Sequence, residues 1–230
     1  MRDDITTIPV SEVFEPRDGC PLCRLRSTLE DRVVEYITGA AMMEPDVRME
    51  TNKQGFCIDH YRMMLKKRNR LGVALILESH LDEMEKQIYA GLPIIGKSVK
   101  SQAKSAVKAA DTCFVCNQVD WAMKRMLATV CRLWETEKEF RALFSEQTAL
   151  CLPHFSALVE AATQNMSKKT APDFMKAAAT LSRRTLQEIR EDVSHFCKMF
   201  DYRNSGENAD WGNSRDAIER AIWYLTARQP

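Results

Sequence analysis

The sequence contains one pattern of metal-ligating residues twice. Cys-x2-Cys occurs in CPLC at 20–23 and in CFVC at 113–116, and Cys-x2-His follows each of them, in GFCIDH at 55–60 and LCLPHF at 150–155. An offset of 93 residues relates the two cysteine pairs, and an offset of 94 relates the two Cys-x2-His motifs. The intervening residues match as well, since Gln54 corresponds to Gln147. The pattern predicts an internal duplication.

Three thiolates and one imidazole form a complete tetrahedral ligand set for zinc. Soft sulfur ligands favour zinc over magnesium or calcium. We therefore predict two zinc ions per chain, with each half of the sequence supplying one complete site. The first predicted site comprises Cys20, Cys23, Cys57 and His60, and the second comprises Cys113, Cys116, Cys151 and His154. The alternative is that these are buried cysteines without a metal.

Other chemistry of paired cysteines fits less well. A thioredoxin-type pair belongs to a βαβ context, which this sequence lacks. Covalent haem attachment requires histidine directly after the second cysteine, where Arg24 and Asn117 stand here. The spacings do not suggest an iron–sulfur cluster.

Apolar periodicity predicts an all-α fold. Helical stripes run from Leu22 to Ala40, from Leu71 to Ile88 and from Phe174 to Phe200, and no alternating strand pattern is evident. The predicted organisation is an N-terminal arm (1–17), a zinc-binding repeat (18–92), a basic linker or helix (93–110), a second zinc-binding repeat (111–200), and a C-terminal loop with a capping helix (201–230). Asn213 or Ser214 is expected to cap that last helix.

A geometric condition accompanies the predicted pairing of ligands within each half. A helix over 22–43 is about 33 Å long. The segment from Glu44 to Phe56 returns the chain to the first cysteine pair only if it is not mostly helical, or if the first helix ends early.

The composition does not favour binding to nucleic acid or insertion into a membrane. Net charge is +1, and no apolar run approaches the length of a membrane span. The N-terminus lacks the pattern of a signal peptide. A cytoplasmic location is therefore expected, where structural disulfides are disfavoured and eight cysteines need another explanation.

Two groups of basic residues offer a candidate nucleic-acid surface. They are Lys97, Lys100, Lys104 and Lys108 in the linker, and Arg62, Lys66, Lys67, Arg68 and Arg70 after the first Cys-x2-His motif. A solvated helix face is the simpler interpretation, because the overall charge is balanced.

Three further cysteine and histidine residues are interpreted as structural. Cys131 is expected in the core, and His195 and Cys197 at the end of a core helix. The loop 201–214 is expected to be ordered, with Trp211 at least half buried and with Asp201 or Arg203 in charge-assisted hydrogen bonds.

Several of these motifs resemble a known family. CPLCRL at 20–25, GFCIDH, CFVC, LCLPHF and KMFDYRN…WGNSRDAIERA at 198–221 are similar to the bacterial family catalogued as domain of unknown function 6062. The resemblance implies a bacterial source and an all-helical duplicated architecture, and it carries over no catalytic residue. It implies that eight residues form a family-defining element: Asp201, Tyr202, Arg203, Asn204, Trp211, Gly212, Asn213 and Ser214.

The leading functional hypothesis is an interaction or scaffold protein with two structural zinc sites and a protein partner. The alternatives are a nucleic-acid-binding protein, a zinc-thiolate redox sensor, and an enzyme acting near the 201–214 loop. No catalytic residue is predicted, because no Walker loop, nucleophile elbow, HExxH or dinucleotide motif occurs.

Overall fold

Regular structure is entirely helical in the residues described, 6–89, 111–201 and 210–230 of a computed structural model, which confirms the predicted all-α class. The α-helices are α1 (Thr7–Phe14), α2 (Pro21–Thr38), α3 (Pro45–Gln54), α4 (Ile58–Lys66), α5 (Arg70–Met84), α6 (Phe114–Thr136), α7 (Lys138–Ser145), α8 (Leu152–Asn165), α9 (Ala171–Met199) and α10 (Ala217–Thr226). Ala40–Met43 and Gly212–Asp216 are 3-10 segments, and Glu85–Tyr89 is a π-helical extension of α5.

The chain divides into two compact units that do not coincide with the two halves of the sequence. The first unit contains Met1–Arg26 and Met123–Pro230, and the second contains Ser27–Ala122. Helix α2 begins in the first unit and ends in the second, whereas α6 begins in the second and ends in the first. Each unit therefore contains part of both long helices that open with a cysteine pair.

The core of the first unit is aromatic. The ring of Phe14 packs on Phe140 and Phe144 with centroids 5.1 and 5.8 Å away, and Phe174 lies 5.4 Å from both Phe144 and Trp134. The segment predicted as an N-terminal arm thus contains α1, whose Phe14 is buried in this core.

Packing of α3 against α5 organises the second unit. The guanidinium of Arg48 in α3 donates to the Leu75 carbonyl and to the Ser79 hydroxyl in α5, at 3.0 and 2.8 Å. Asn69 caps α5 by accepting from the Gly72 N–H at 2.9 Å. The apolar stripe predicted for this helix is only partly buried, since Ile76 is enclosed but Leu71 and Leu81 are exposed.

The order of helices is the same after each cysteine pair. A long helix (α2 or α6) is followed by a short one (α3 or α7), by the Cys-x2-His helix (α4 or α8), and by another long helix (α5 or α9). Internal duplication predicts this parallel order.

The prediction that Asn213 or Ser214 caps the last helix is wrong. Asn213 and Ser214 lie within the 3-10 segment Gly212–Asp216, and α10 begins only after it. The N-cap residue of α10 is Asp216, which makes no side-chain capping bond. Ser214 is fully buried and donates its hydroxyl to the Trp211 carbonyl at 2.6 Å, and this local bond holds the 3-10 turn. Among the described helices, none is both long and apolar enough to cross a bilayer.

Candidate metal centres

The structure brings together eight cysteine and histidine side chains in two groups of four. Cluster A comprises Cys20, Cys23, Cys151 and His154, and lies in the first unit; cluster B comprises Cys57, His60, Cys113 and Cys116, and lies in the second. Within each cluster, the potential ligand atoms all lie within 4.8 Å of one another. All eight predicted ligands are therefore grouped, and each group can hold a metal ion.

The predicted pairing of these ligands is wrong. Each cysteine pair was predicted to share a site with the Cys-x2-His motif of its own half, whereas in the structure it lies with the motif of the other half.

Helix α3 shortens the return of the chain towards Cys20. Helix α2 carries the chain about 27 Å along its axis over 18 residues, while α3 occupies ten of the residues between Glu44 and Phe56 and advances only about 15 Å. Helix α2 does end early, at Thr38, but the return segment is mostly helical, and Cys57 and His60 lie with Cys113 and Cys116 rather than with Cys20. In the second half, α6 and the shorter α7 repeat this relation.

Cluster A surrounds the Nδ1 atom of His154. The sulfurs of Cys151, Cys23 and Cys20 lie 3.1, 3.4 and 3.7 Å from this nitrogen, and the sulfurs of Cys23 and Cys151 are 3.6 Å apart. Only Cys23 is partly exposed.

Cluster B has the same construction around the Nδ1 atom of His60. The sulfurs of Cys57, Cys113 and Cys116 lie 3.1, 3.3 and 3.5 Å from it. The sulfurs of Cys57 and Cys116 are 3.9 Å apart, and both residues are partly exposed.

These distances match the edges of a single coordination tetrahedron. With metal–sulfur bonds of about 2.3 Å and metal–nitrogen bonds of about 2.0 Å, tetrahedral geometry places two sulfurs about 3.8 Å apart and a sulfur and a nitrogen about 3.5 Å apart. Both clusters therefore have the size required for one ion with four protein ligands. A polynuclear iron–sulfur cluster would require its ligands to be spread more widely.

Each Cys-x2-His motif uses the start of a helix. Cys57 and Cys151 are the N-cap residues of α4 and α8, with extended backbones, and the histidine follows in the first turn. Each cysteine pair likewise lies at the start of α2 or α6. Helix N-termini carry partial positive charge, which stabilises thiolates.

The approach to each motif is fixed by contacts that are not apparent from the spacing of the ligands. In cluster B, the Gly55 carbonyl accepts from the Phe114 N–H at 2.9 Å, beside Cys113. In cluster A, the buried Thr185 hydroxyl accepts from the Leu150 N–H at 3.1 Å, beside Cys151. Long-range contacts of single glycines and threonines leave no periodic pattern in a sequence, so these contacts were not predictable from it.

Electrostatics within the clusters favour a bound cation. Burial opposes ionisation of Cys20, but hydrogen bonds from Cys151, Cys23 and His154 lower its pKa well below the ordinary value. Hydrogen bonding with Cys20 raises the pKa of Cys151 to about 12, and burial and the charge of Cys113 raise the pKa of Cys116 to about 12. Neighbouring thiolates thus suppress one another's ionisation, and a cation removes that repulsion.

The remaining cysteines and histidines lie outside the two clusters. Cys131 is fully buried, which confirms it as a core residue, and burial and Glu135 raise its pKa to about 12. The Nε2 atom of His195 lies 2.9 Å from the Asp210 carbonyl, and Cys197 is exposed. His80 Nδ1 lies 2.8 Å from the Asn52 carbonyl.

The C-terminal loop was predicted over 201–214, of which residues 202–209, including Arg203, lie outside the described residues. The prediction for Trp211 is confirmed, because this residue is more than half buried, with its ring 5.7 Å from Phe196 and 5.8 Å from Phe200. Phe200, directly before the loop, is 70% exposed although its ring packs on Trp211.

Only one of the two predicted basic groups lies within the described residues. Lys97, Lys100, Lys104 and Lys108 lie outside the described residues. In the other group, Arg62 lies 3.4 Å from Asp59, and Lys67 lies 3.5 Å from Asp31. Acidic neighbours therefore offset part of the positive charge of this surface.

Comparison with known proteins assigns the chain to a family. The model of the Family of unknown function (DUF6062) matches residues 1–230, so the chain belongs to that family, as the resemblance of its motifs indicated. No curated protein and no solved structure matches it.

Proposed function

We propose that this member of the family is a zinc-binding protein whose two Cys3His centres are structural, and that it acts as an interaction or scaffold protein in the bacterial cytoplasm. The observation that carries the zinc assignment is the spacing of the ligand atoms, which fits one tetrahedral ion in each cluster. The donor set of three sulfurs and one nitrogen favours zinc among the common divalent cations.

The arrangement supports a structural role for the metal. Four protein ligands complete the zinc coordination and leave no position for a catalytic water. Each ion would join segments distant in sequence, since cluster A links residues 20–23 to 151–154 and cluster B links 57–60 to 113–116. Metal binding would therefore contribute directly to the free energy of folding.

Elemental analysis of freshly purified protein tests the metal assignment. We expect two zinc ions per chain, and removal of zinc by a strong chelator should lower helical content and thermal stability together. Only trace metal in protein purified without chelator, or unchanged stability after complete removal, would contradict the structural role.

The scaffold role has a separate test. Affinity capture from native cell extract should recover a stoichiometric protein partner with the zinc-loaded chain and lose it with the chelated chain. Capture of a small metabolite, or of nucleic acid in a salt-dependent manner, would instead favour the enzyme or nucleic-acid alternatives. The partly neutralised charges of Arg62 and Lys67 weigh against nucleic acid as the partner.

One observation favours redox sensing as a second candidate function. Cys57 and Cys116 are both partly exposed, and their sulfurs are 3.9 Å apart. Peroxide would oxidise these two thiolates to a disulfide, with two protons taken up and the peroxide reduced to two waters, and the zinc ion of cluster B would be released.

Peroxide titration distinguishes this candidate from a purely structural role. Redox sensing predicts release of one zinc ion per chain, a Cys57–Cys116 disulfide in peptide mapping, and recovery of both after addition of a thiol reductant and zinc. Retention of both ions until the protein precipitates would exclude it.

A further inference from the structure

The two nitrogens of His60 have different surroundings. Nδ1 lies among the three sulfurs of cluster B, so it is the nitrogen that faces the metal position. Nε2 lies 3.9 Å from Oε1 of Glu30, in α2. The side chain of His60 is 4% exposed and that of Glu30 is 25% exposed, so this approach is largely shielded from solvent.

A histidine that binds a metal through Nδ1 carries its proton on Nε2. A carboxylate that accepts this proton in a hydrogen bond fixes the tautomer, orients the ring and increases the basicity of the metal-bound nitrogen. The separation of 3.9 Å exceeds a direct hydrogen bond by about 1 Å. Rotation of the flexible Glu30 side chain, or one bridging water, closes that gap.

We propose that Glu30 is a positioning residue for the metal of cluster B, acting through His60. This inference rests on the proposed metal-binding function and adds a difference between the two centres. The duplication offset of 93 residues places Met123 at the position in α6 that corresponds to Glu30, and Met123 is buried. A thioether does not supply the charged acceptor that a carboxylate does, so the carboxylate support belongs to cluster B.

Glu30 was not detectable from the spacing of the ligands. It lies between the two motifs of the first half, thirty residues before His60, within a helix that begins with ligands of cluster A. Only the fold shows that α2 supplies cysteines to one centre and a carboxylate to the histidine of the other.

Zinc competition with a chromophoric chelator tests the proposal in the full-length chain. A background carrying Cys151→Ser isolates cluster B, and a background carrying Cys116→Ser isolates cluster A. In the first background, Glu30→Gln and Glu30→Ala should weaken zinc binding about 10- to 100-fold, with the larger loss for alanine, which has no acceptor. In the second background, neither substitution should change the affinity.

Glu35→Gln is the matched control, because Glu35 is an exposed carboxylate on the same helix. It should leave both centres unchanged. Affinity of cluster B within twofold of the parent after Glu30→Ala, or equal weakening of both clusters, would overturn the proposal.

A spectroscopic measurement keeps the proposal testable if a background variant fails to fold. In otherwise unaltered zinc-loaded protein, nitrogen-15 spectra of the histidine rings should show Nδ1 of His60 bound to metal and a slowly exchanging proton on Nε2. Glu30→Ala should accelerate exchange of that proton while the signals of His154 stay unchanged. An unchanged exchange rate in protein with two zinc ions would refute the role of Glu30 alone, whereas absence of zinc from the parent protein would refute the proposed function.

Discussion

Gly55 occupies a backbone conformation that only glycine adopts readily. Its φ is 60° and its ψ is −158°, and a β-carbon built there would lie 2.7 Å from Nε2 of His80. The residue ends α3, accepts the hydrogen bond from Phe114 and lies two positions before Cys57. Both backbone strain and steric overlap therefore oppose any side chain at this position.

We expect Gly55→Ala to lower the free energy of unfolding by about 3 kcal/mol and to weaken zinc retention by cluster B. Gly19→Ala is the matched control, because Gly19 has a similar φ of 62° but a β-carbon there would meet no atom within 4 Å, so this substitution should cost only about 1 kcal/mol. Chemical denaturation of the zinc-loaded proteins provides the comparison. Equal losses for the two variants would show that contact with His80 has no effect.

Trp211 provides a second test at the residue scale. Its ring packs against Phe196 and Phe200, and the Arg215 guanidinium lies 6.0 Å from the ring centroid. Trp211→Ala should lower the free energy of unfolding by about 2 kcal/mol, less than for a fully buried tryptophan. Unchanged stability with loss of a captured partner would instead identify Trp211 as a contact residue for that partner.

Two threonines in α9 differ in whether they reach beyond their own helix. Thr180 donates only to the Lys176 carbonyl, one turn earlier, and is exposed. Thr185 donates to the Leu181 carbonyl and also accepts from the Leu150 N–H, next to Cys151. The second bond anchors the segment that presents cluster A.

Thr185→Val should therefore cost about 1–3 kcal/mol, because the buried Leu150 N–H loses its partner. Thr180→Val should change stability by no more than about 0.5 kcal/mol. Thermal denaturation of both variants measures the difference, and similar effects would show that the bond to Leu150 contributes nothing to the anchoring of cluster A.

Helix positions were predictable from apolar periodicity, but helix ends and exposed faces were less so. The stripe from Leu22 predicted α2, yet the helix ends at Thr38, before Gly39. The stripe from Leu71 predicted α5, although Leu71 itself is exposed. Periodicity reports which residues share a helix face, while tertiary packing decides how much of that face is covered.

Ligand types were predictable for a different reason. Cysteine and histidine at two-residue gaps can reach one ion from a single turn, so local spacing identifies the candidates. The pairing of distant motifs depends on the path of the chain between them, and α3 alters that path. Contacts such as Glu30 with His60 depend on the same path and were unpredictable for the same reason.

At the scale of the whole molecule, zinc affinity should depend on pH. The pKa values of Cys116 and Cys151 are raised to about 12, so these thiols hold their protons at neutral pH in metal-free protein, and zinc must displace them. Affinity should therefore rise with pH, by roughly tenfold per pH unit for each displaced proton. Chelator competition between about pH 6 and pH 8 measures this slope, and a flat profile would show that the thiols are already ionised.

The same raised pKa values bear on the stability of metal-free protein. A thiol whose pKa is raised by folding contributes stability below its unfolded pKa of about 9, and that stability is lost as the pH rises towards its folded value. Metal-free protein should therefore become less stable in alkaline solution, whereas zinc-loaded protein, whose ligands are already ionised, should gain stability as the pH rises towards the unfolded pKa. Denaturation midpoints at about pH 7 and pH 10 test both statements.

The exchange of ligands between the two halves is the central structural claim, and counting zinc in paired variants tests it most directly. Cys57→Ser with Cys113→Ser alters cluster B alone, so this variant should retain one zinc ion per chain. Cys20→Ser with Cys57→Ser alters both clusters and should retain none. If the first variant instead lost both ions while the second kept one, each half of the sequence would hold its own zinc, and the exchanged arrangement would be wrong.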